Sequence, residues 1–220
     1  MKFILRTVII ALFTVSSFAQ QNSTPSNTYH DPIGESLSNS SFRIGTGVLL
    51  PQKKLKKYFG ISPFVELSFD FPTKNGKSIE FALQMVVPNQ KEKFKYARST
   101  DTISAKASFM INPMVKFRKD LFNIDRSRLN IGLGIGASLI TTDARNPFYE
   151  GETGSENKKE KYETISTMLI APSIEYTYTF RNNDRISMGF NLQFSPYKVE
   201  GSLQTDIGSL FYVPRIAYKF

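Results

Sequence analysis

The sequence predicts an all-β protein, an eight-stranded antiparallel up-and-down β-barrel that crosses a membrane. Three observations carry this. Eight runs alternate apolar and polar residues with a period of two. Four of them share the pattern Pro, any residue, then Val or Ile. The links between runs alternate between long and short.

The chain opens with MKFILRTVIIALFTVSSFA, residues 1–19. Lys2 and Arg6 form a positive head, Thr7 to Val15 a short apolar core, and Ser17-Phe18-Ala19 a small-x-small cleavage site. This is the pattern of a cleaved signal peptide. The apolar run is too short for a membrane helix, which needs about 20 residues. Residues 20–40 are rich in Ser and Asn and read as a flexible segment on the periplasmic side. The barrel is expected over 41–220.

The odd-numbered runs are FRIGTGVLL (42–50), IEFALQMVV (79–87), LNIGLGIGASL (129–139) and ISMGFNLQF (186–194). Their fourth position is always small: Gly45, Ala82, Gly132 and Gly189. The even-numbered runs are SPFVELSFDF (62–71), NPMVKFRK (112–119), APSIEYTYTF (171–180) and VPRIAYKF (213–220). Their prolines, Pro63, Pro113, Pro172 and Pro214, all lie on the apolar parity. Each removes a ladder donor, so a bulge or bend is expected there. Two strands recur four times, giving eight.

Side-chain size decides which face is inside. The apolar parity is bulky and aromatic; the polar parity is crowded with Gly, Ala and Ser among scattered charges. The bore of an eight-stranded barrel is only just wide enough for side chains to fill. Small residues with a few long charged ones suit that bore, and Phe, Tyr, Leu and Ile suit a lipid-facing belt. The links PQKKLKKY, PNQKEKFKYARST, TDARNPFYEGETGSENKKEK and YKVEGSLQTD are long and polar; PTKNGK, DLFNIDRS and RNND are shorter. Asn75-Gly76 is a hairpin signal. Long loops at one rim and short turns at the other fit an outer-membrane barrel, with Phe69, Phe71, Tyr176, Tyr178, Phe180, Tyr218 and Phe220 as an aromatic girdle at the turn rim.

From about Ser41 the chain resembles the small eight-stranded outer-membrane β-barrels of Gram-negative bacteria, similar to the OmpX type and the OmpA transmembrane domain. The Pro-x-[Val/Ile] strands resemble the PorT-like barrels of Bacteroidota. The last strand, with Tyr212, Pro214, Ile216, Tyr218 and Phe220 on one parity, resembles the C-terminal assembly signal of the first family. That resemblance implies recognition by the barrel-assembly machinery and residence in the cell outer membrane, among lipid and lipopolysaccharide.

Ten charges fall on the lumen parity: Arg43, Glu66, Asp70, Glu80, Lys106, Lys116, Arg118, Glu175, Arg215 and Lys219. Buried charges must pair, so they are expected to form a salt-bridged plug rather than an ion path. Lys53, Lys54, Lys56 and Lys57 in the first long link, with Lys91, Lys93, Lys95 and Arg98 in the second, are candidate contacts for phosphates of anionic glycolipid.

Catalysis is not expected. The chain has one histidine, His30, outside the barrel, and no cysteine. Histidine-based rim chemistry, thiol nucleophiles and disulfides are thereby excluded. No cofactor is implied. EGETGSEN lacks EF-hand spacing. The net charge of +9 has no recognition motif beside it, so nucleic acid is not expected. The function expected is structural, adhesive or accessory to an envelope secretion or motility system. The alternatives are a narrow passive pore and a secreted lipocalin-like barrel.

Overall fold

The structure, a computed structural model, describes residues 40–73, 75–97, 101–145, 149, 162–197 and 206–219. The signal peptide, most of the following segment, most of the third long link and Phe220 lie outside them. Among these described residues ten strands occur: β1 Ser41–Pro51, β2 Ser62–Thr73, β3 Lys77–Val86, β4 Phe94–Ala97, β5 Thr102–Ala105, β6 Ala107–Ile124, β7 Ser127–Arg145, β8 Tyr162–Thr179, β9 Arg185–Phe194 and β10 Leu210–Lys219. Eight close into an antiparallel barrel in the order β1-β10-β9-β8-β7-β6-β3-β2, while β4 and β5 form a separate hairpin in the second long link. A single turn of helix, α1 (Leu55–Tyr58), lies in the first.

The register fixes the barrel's dimensions. Hydrogen-bonded partners followed once around the wall from Leu129 return to the same strand at Leu139, ten residues further on. For eight strands this stagger gives a tilt of roughly 40° and a backbone radius of about 8 Å. Each residue then climbs about 2.5 Å along the axis, so ten residues cover the ~25 Å of an apolar membrane band. Five barrel strands have 10 to 12 residues and match that height. β6, β7 and β8 have 18 or 19 and overhang it, β7 and β8 mainly at the loop rim and β6 mainly at the turn rim.

Outward positions within the band are apolar on every strand, for example Ile44, Val65, Phe81, Phe117, Ile131, Ile174, Phe190 and Ile216, all exposed. Between the rims Thr46 is the exception among the described residues, and its hydroxyl donates to the Phe64 carbonyl at 2.9 Å. At the turn rim rings pair as Phe42–Phe69, Phe71–Phe81 and Tyr178–Phe180, with centroids 5.1, 5.7 and 5.4 Å apart. Lys77 and Lys119, paired across β3 and β6, mark the same level. Above Leu139 and Met168 the outward residues of β7 and β8 turn polar, beginning with Thr141 and Ser166. The loop-side edge of the belt is therefore sharp, whereas at the turn side β6 exposes Leu121, Phe122 and Ile124 beyond Lys119.

The short turns follow local chemistry. Asn75 and Gly76 take φ of 64° and 65° between β2 and β3. Asp125 (φ 49°) and Asn183 (φ 69°) do the same in the other two turns. The expected link DLFNIDRS shrinks to Asp125-Arg126, because Ile124 already pairs with Ser127.

The prolines do not produce bulges. None of the four sits at a register shift; the shifts lie at Ala107/Phe109, Asp120/Phe122 and Thr141/Arg145. Instead the ladder on one side of each proline loses its pairing there, as at Pro113 between Ile111↔Leu139 and Met114↔Gly136, and pairing on the other side continues. A bulge needs an extra residue. A missing N–H needs only a missing bond, and the ring is directed outward, where nothing crowds it. The neighbouring strand closes in at two of these gaps. A Cβ on Gly47 would stand 2.3 Å from the Pro214 carbonyl, and one on Gly136 2.0 Å from that of Pro113. Only glycine fits at such distances.

Candidate functional site

The interior is layered. In the turn-side half, nine charges from six strands form one connected network. Glu80 lies 2.9 Å from Arg43, 3.1 Å from Lys116 and 3.0 Å from Arg118. Glu175 accepts from Arg43 at 2.8 Å, from Arg118 at 2.9 Å and from Arg215. Glu66 holds Lys116 at 2.7 Å and also Arg215. Asp70 holds Arg118, and Lys219 at 2.8 Å. Every one of these side chains is buried or nearly so. Multiple partners offset the desolvation that an isolated buried ion would suffer.

Small residues make room for the long ones. Across the β6–β7 ladder Arg118 faces Gly132, Lys116 faces Gly134 and Met114 faces Gly136. Gly189 lies between Arg215 and Glu175 on its two neighbouring strands, and Gly45 between Glu66 and Ala217. At three of the four small positions, Gly45, Gly132 and Gly189, the space takes charges of the even-numbered strands, while Ala82 faces Ser68 and Met114.

Nine of the ten sequence-predicted charges meet in this network. Lys106 does not. It is exposed between β5 and β6, and its backbone N–H donates to Asp143 Oδ1 at 2.7 Å. The bulge at Ala107/Phe109 reverses the parity, so Ala105 and Ala107 point inward and Lys106 outward. Arg185, half-buried at the turn-side mouth, shares the lumen parity of Ser187 and Gly189 and immediately precedes the alternating run 186–194.

Above the charges comes a layer of amides. Asn112 Nδ2 and Gln193 Nε2 donate to Gln84 Oε1 at 2.7 and 3.0 Å, and Asn191 lies beside them on β9. Above and beside these the interior becomes apolar, contrary to the expectation of Gly, Ser and charge throughout. Leu49, Phe64, Val86, Met110, Ile140, Phe211 and Val213 from the wall pack with Leu55, Phe59, Phe94, Tyr197 and Ile207 from the links. The links fold inward because α1 and the first two links are tied together. Gly60 N–H donates to Asn89 O at 2.6 Å, and Lys91 N–H to Tyr58 O at 2.8 Å. No strand periodicity extends into these segments, which is why sequence reasoning missed this core. The signal available was the set of apolar residues Leu55, Phe59 and Ile207 within otherwise polar links.

Tyr197 descends from the last link and exchanges a 3.1 Å hydrogen bond with Ser138. Burial raises its hydroxyl from the ordinary tyrosine value to about 12. The neutral phenol is the folded form. Its contribution is therefore fully present below pH ~10 and lost as pH rises through about 12. Tyr197→Phe should cost about 1 kcal/mol at neutral pH and flatten that alkaline loss. Urea titrations at several pH values check this; an identical alkaline decline in the variant would contradict it.

The loop rim is basic. Lys53, Lys54, Lys56 and Lys57 are exposed, as are Lys91, Lys93 and Lys95; Arg98 lies outside the described residues. Lys54 pairs with Asp206 at 2.6 Å and Lys57 with Glu92 at 3.5 Å. Lys91 Nζ reaches the Lys56 carbonyl at 3.4 Å, so the two clusters adjoin. Along the closing strand β10, Tyr212 near the loop rim and Ile216 further down are exposed on the outer face, with Pro214 between them and Tyr218 toward the turn rim.

No family model matches the chain, and no curated protein matches its sequence. Solved structures do match. Ail, the attachment invasion locus protein of Yersinia pestis, solved with the heparin analogue sucrose octasulfate, is 13% identical with a TM-score of 0.43, covering 82% of this chain and 97% of that one. The N-terminal β-barrel domain of Pseudomonas aeruginosa OprF is 13% identical with a TM-score of 0.38, covering 83% and 98%. Ail in a phospholipid bilayer nanodisc is 11% identical with a TM-score of 0.38, covering 83% and 100%. The likeness is one of fold, and residue roles do not transfer across it.

Proposed function

We propose that this chain is a non-enzymatic integral outer-membrane β-barrel whose lumen is sealed and whose working surface is its folded, basic cap. Its role is adhesive, structural or accessory to an envelope machine, and transport is not part of it. The observation that supports this reading is the filled interior, with charges, amides and an apolar core succeeding one another over the height of the belt. A passive pore would need a continuous wet path, and the apolar cluster interrupts it. A lipocalin-like carrier would need the opposite arrangement, with the apolar face inside and the polar face outside.

Planar-bilayer recording tests the sealed lumen. The purified barrel should give no steady openings. Steady ion-selective conductance would defeat the reading in favour of the pore.

The lysines of the first two links lie just above the belt on the β1–β3 side, at the height of outer-leaflet phosphates. They suit anionic glycolipid such as lipopolysaccharide as a partner. Charge reversal of Lys53, Lys56 and Lys91 to Glu should weaken binding to vesicles carrying phosphorylated glycolipid by about tenfold and flatten its salt dependence. Insertion itself should be unchanged, and equal binding by the variant would remove the lysines from the proposal. Delivery to the membrane rests on the signal peptide and on the apolar parity Tyr212, Pro214, Ile216 and Tyr218, followed in the sequence by Phe220, as the signal read by the barrel-assembly machinery. Deleting Phe220 should impair insertion more than replacing any loop lysine.

A further inference from the structure

The amide layer does not satisfy itself. Asn191 is 1% exposed, and neither its Nδ2 nor its Oδ1 has a hydrogen-bond partner. Gln84 Nε2 and Asn112 Oδ1 are in the same position, also on side chains at most 1% exposed. Glu66 Oε2, on the charged layer below, is a further acceptor without a partner. Leaving such groups dry costs about 1–3 kcal/mol each, more for a charged one.

A second observation lies at the same height. Two of the proline gaps in the wall open beside these amides. The β6–β7 ladder is unpaired at Asn112 and Pro113, and the β8–β9 ladder is unpaired between Ile170↔Phe194 and Ser173↔Asn191, which leaves out Gln193. Backbone groups that lose a cross-strand partner inside a membrane must find another.

We propose that the lumen contains a small internal hydration site, bounded below by Glu66 and Arg215, above by the apolar cap, and around its wall by Gln84, Asn112, Asn191 and Gln193. Water is the ligand that fits. The unpartnered atoms include both donors and acceptors, which an anion or a metal cation cannot serve together. Four amide atoms and one carboxylate oxygen match about two waters at roughly three hydrogen bonds each. These waters bridge the amides to the network and reach the backbone groups at the proline gaps. The site explains why polar amides rather than leucines occupy a level shared with Leu49, Phe64 and Val213. It depends on the interior alone and stands whatever the cap binds.

The test is a water-contact NMR experiment on the intact barrel in nanodiscs, labelled with ¹⁵N in Asn and Gln. Side-chain NH₂ signals are assigned through Asn191→Ser and Gln84→Met, with backbone connectivity as a second route if either variant fails to fold. The expected result is a cross-peak to long-lived water from the NH₂ groups of both Asn191 and Gln84, with the Gln84 peak weakened in Asn191→Leu. Absence of a water cross-peak from both groups in the folded protein overturns the proposal, since the amides would then be paired with one another.

Discussion

Replacing Glu80 with leucine is expected to cost the barrel about 3–5 kcal/mol of unfolding free energy, because it leaves buried cations without their shared partner. Glu80 is 0% exposed and lies within 3.1 Å of Arg43, Lys116 and Arg118. Five cations and four carboxylates make up the network, so losing one carboxylate unbalances it further. Adding Lys116→Met should return part of the loss, since the uncompensated charge leaves with it. Double-mutant cycles read by urea unfolding in lipid vesicles measure this. A loss under about 1 kcal/mol, the range of an exposed ion pair, would mean that the network is not what holds the turn-side half together.

Gly136→Ala should destabilise by about 3 kcal/mol, the upper range for overpacking. The added Cβ would meet the Pro113 carbonyl oxygen at 2.0 Å and Met114 Cα at 2.7 Å, both backbone atoms of the adjoining β6, which no side-chain rotation can move aside. Gly45→Ala is the control. Its nearest neighbours, Ala217 Cβ and the Ile216 carbonyl, stand at 3.3 Å, so a shift of a few tenths of an ångström accommodates it. The expected order in a heat-shift or urea assay is wild type, then Gly45→Ala close behind, then Gly136→Ala well below. Equal stability of the two variants would show that the wall at Pro113 is not as tight as described.

The strands were legible because a lipid-facing belt and a charged bore are both written with period two. Phe81, Leu83 and Met85 could face only lipid, once Ala82 and Gln84 were seen to be smaller or polar. The pairing of Gly132 with Arg118 was half legible, since the small positions were plain but their partners depended on register. Where periodicity stops, the sequence carries no strand signal. Tyr162–Ile170 is strand, yet its outward residues above the belt are polar like the rest of the link, so nothing in the pattern separated them. One bulge beside Ala107 reversed the direction of Lys106. The apolar cap depends on Leu55, Phe59, Phe94 and Ile207 converging from distant links, which local pattern does not encode. The four prolines were visible as a repeat, but not the way the wall accommodates them.

This barrel is inverted relative to a soluble one, with its apolar face in lipid. The chain has no native cysteine, so single cysteines can be placed and spin-labelled without interference. Labels at Ile131, Ile174 and Phe190 on the outer face should collide readily with dissolved oxygen and poorly with a water-soluble nickel reagent. Labels at Thr141 and Ser166, above the belt, should do the reverse. Nickel accessibility at Ile131, Ile174 and Phe190 equal to that at Thr141 would mean that the apolar belt faces water and the barrel does not sit in lipid.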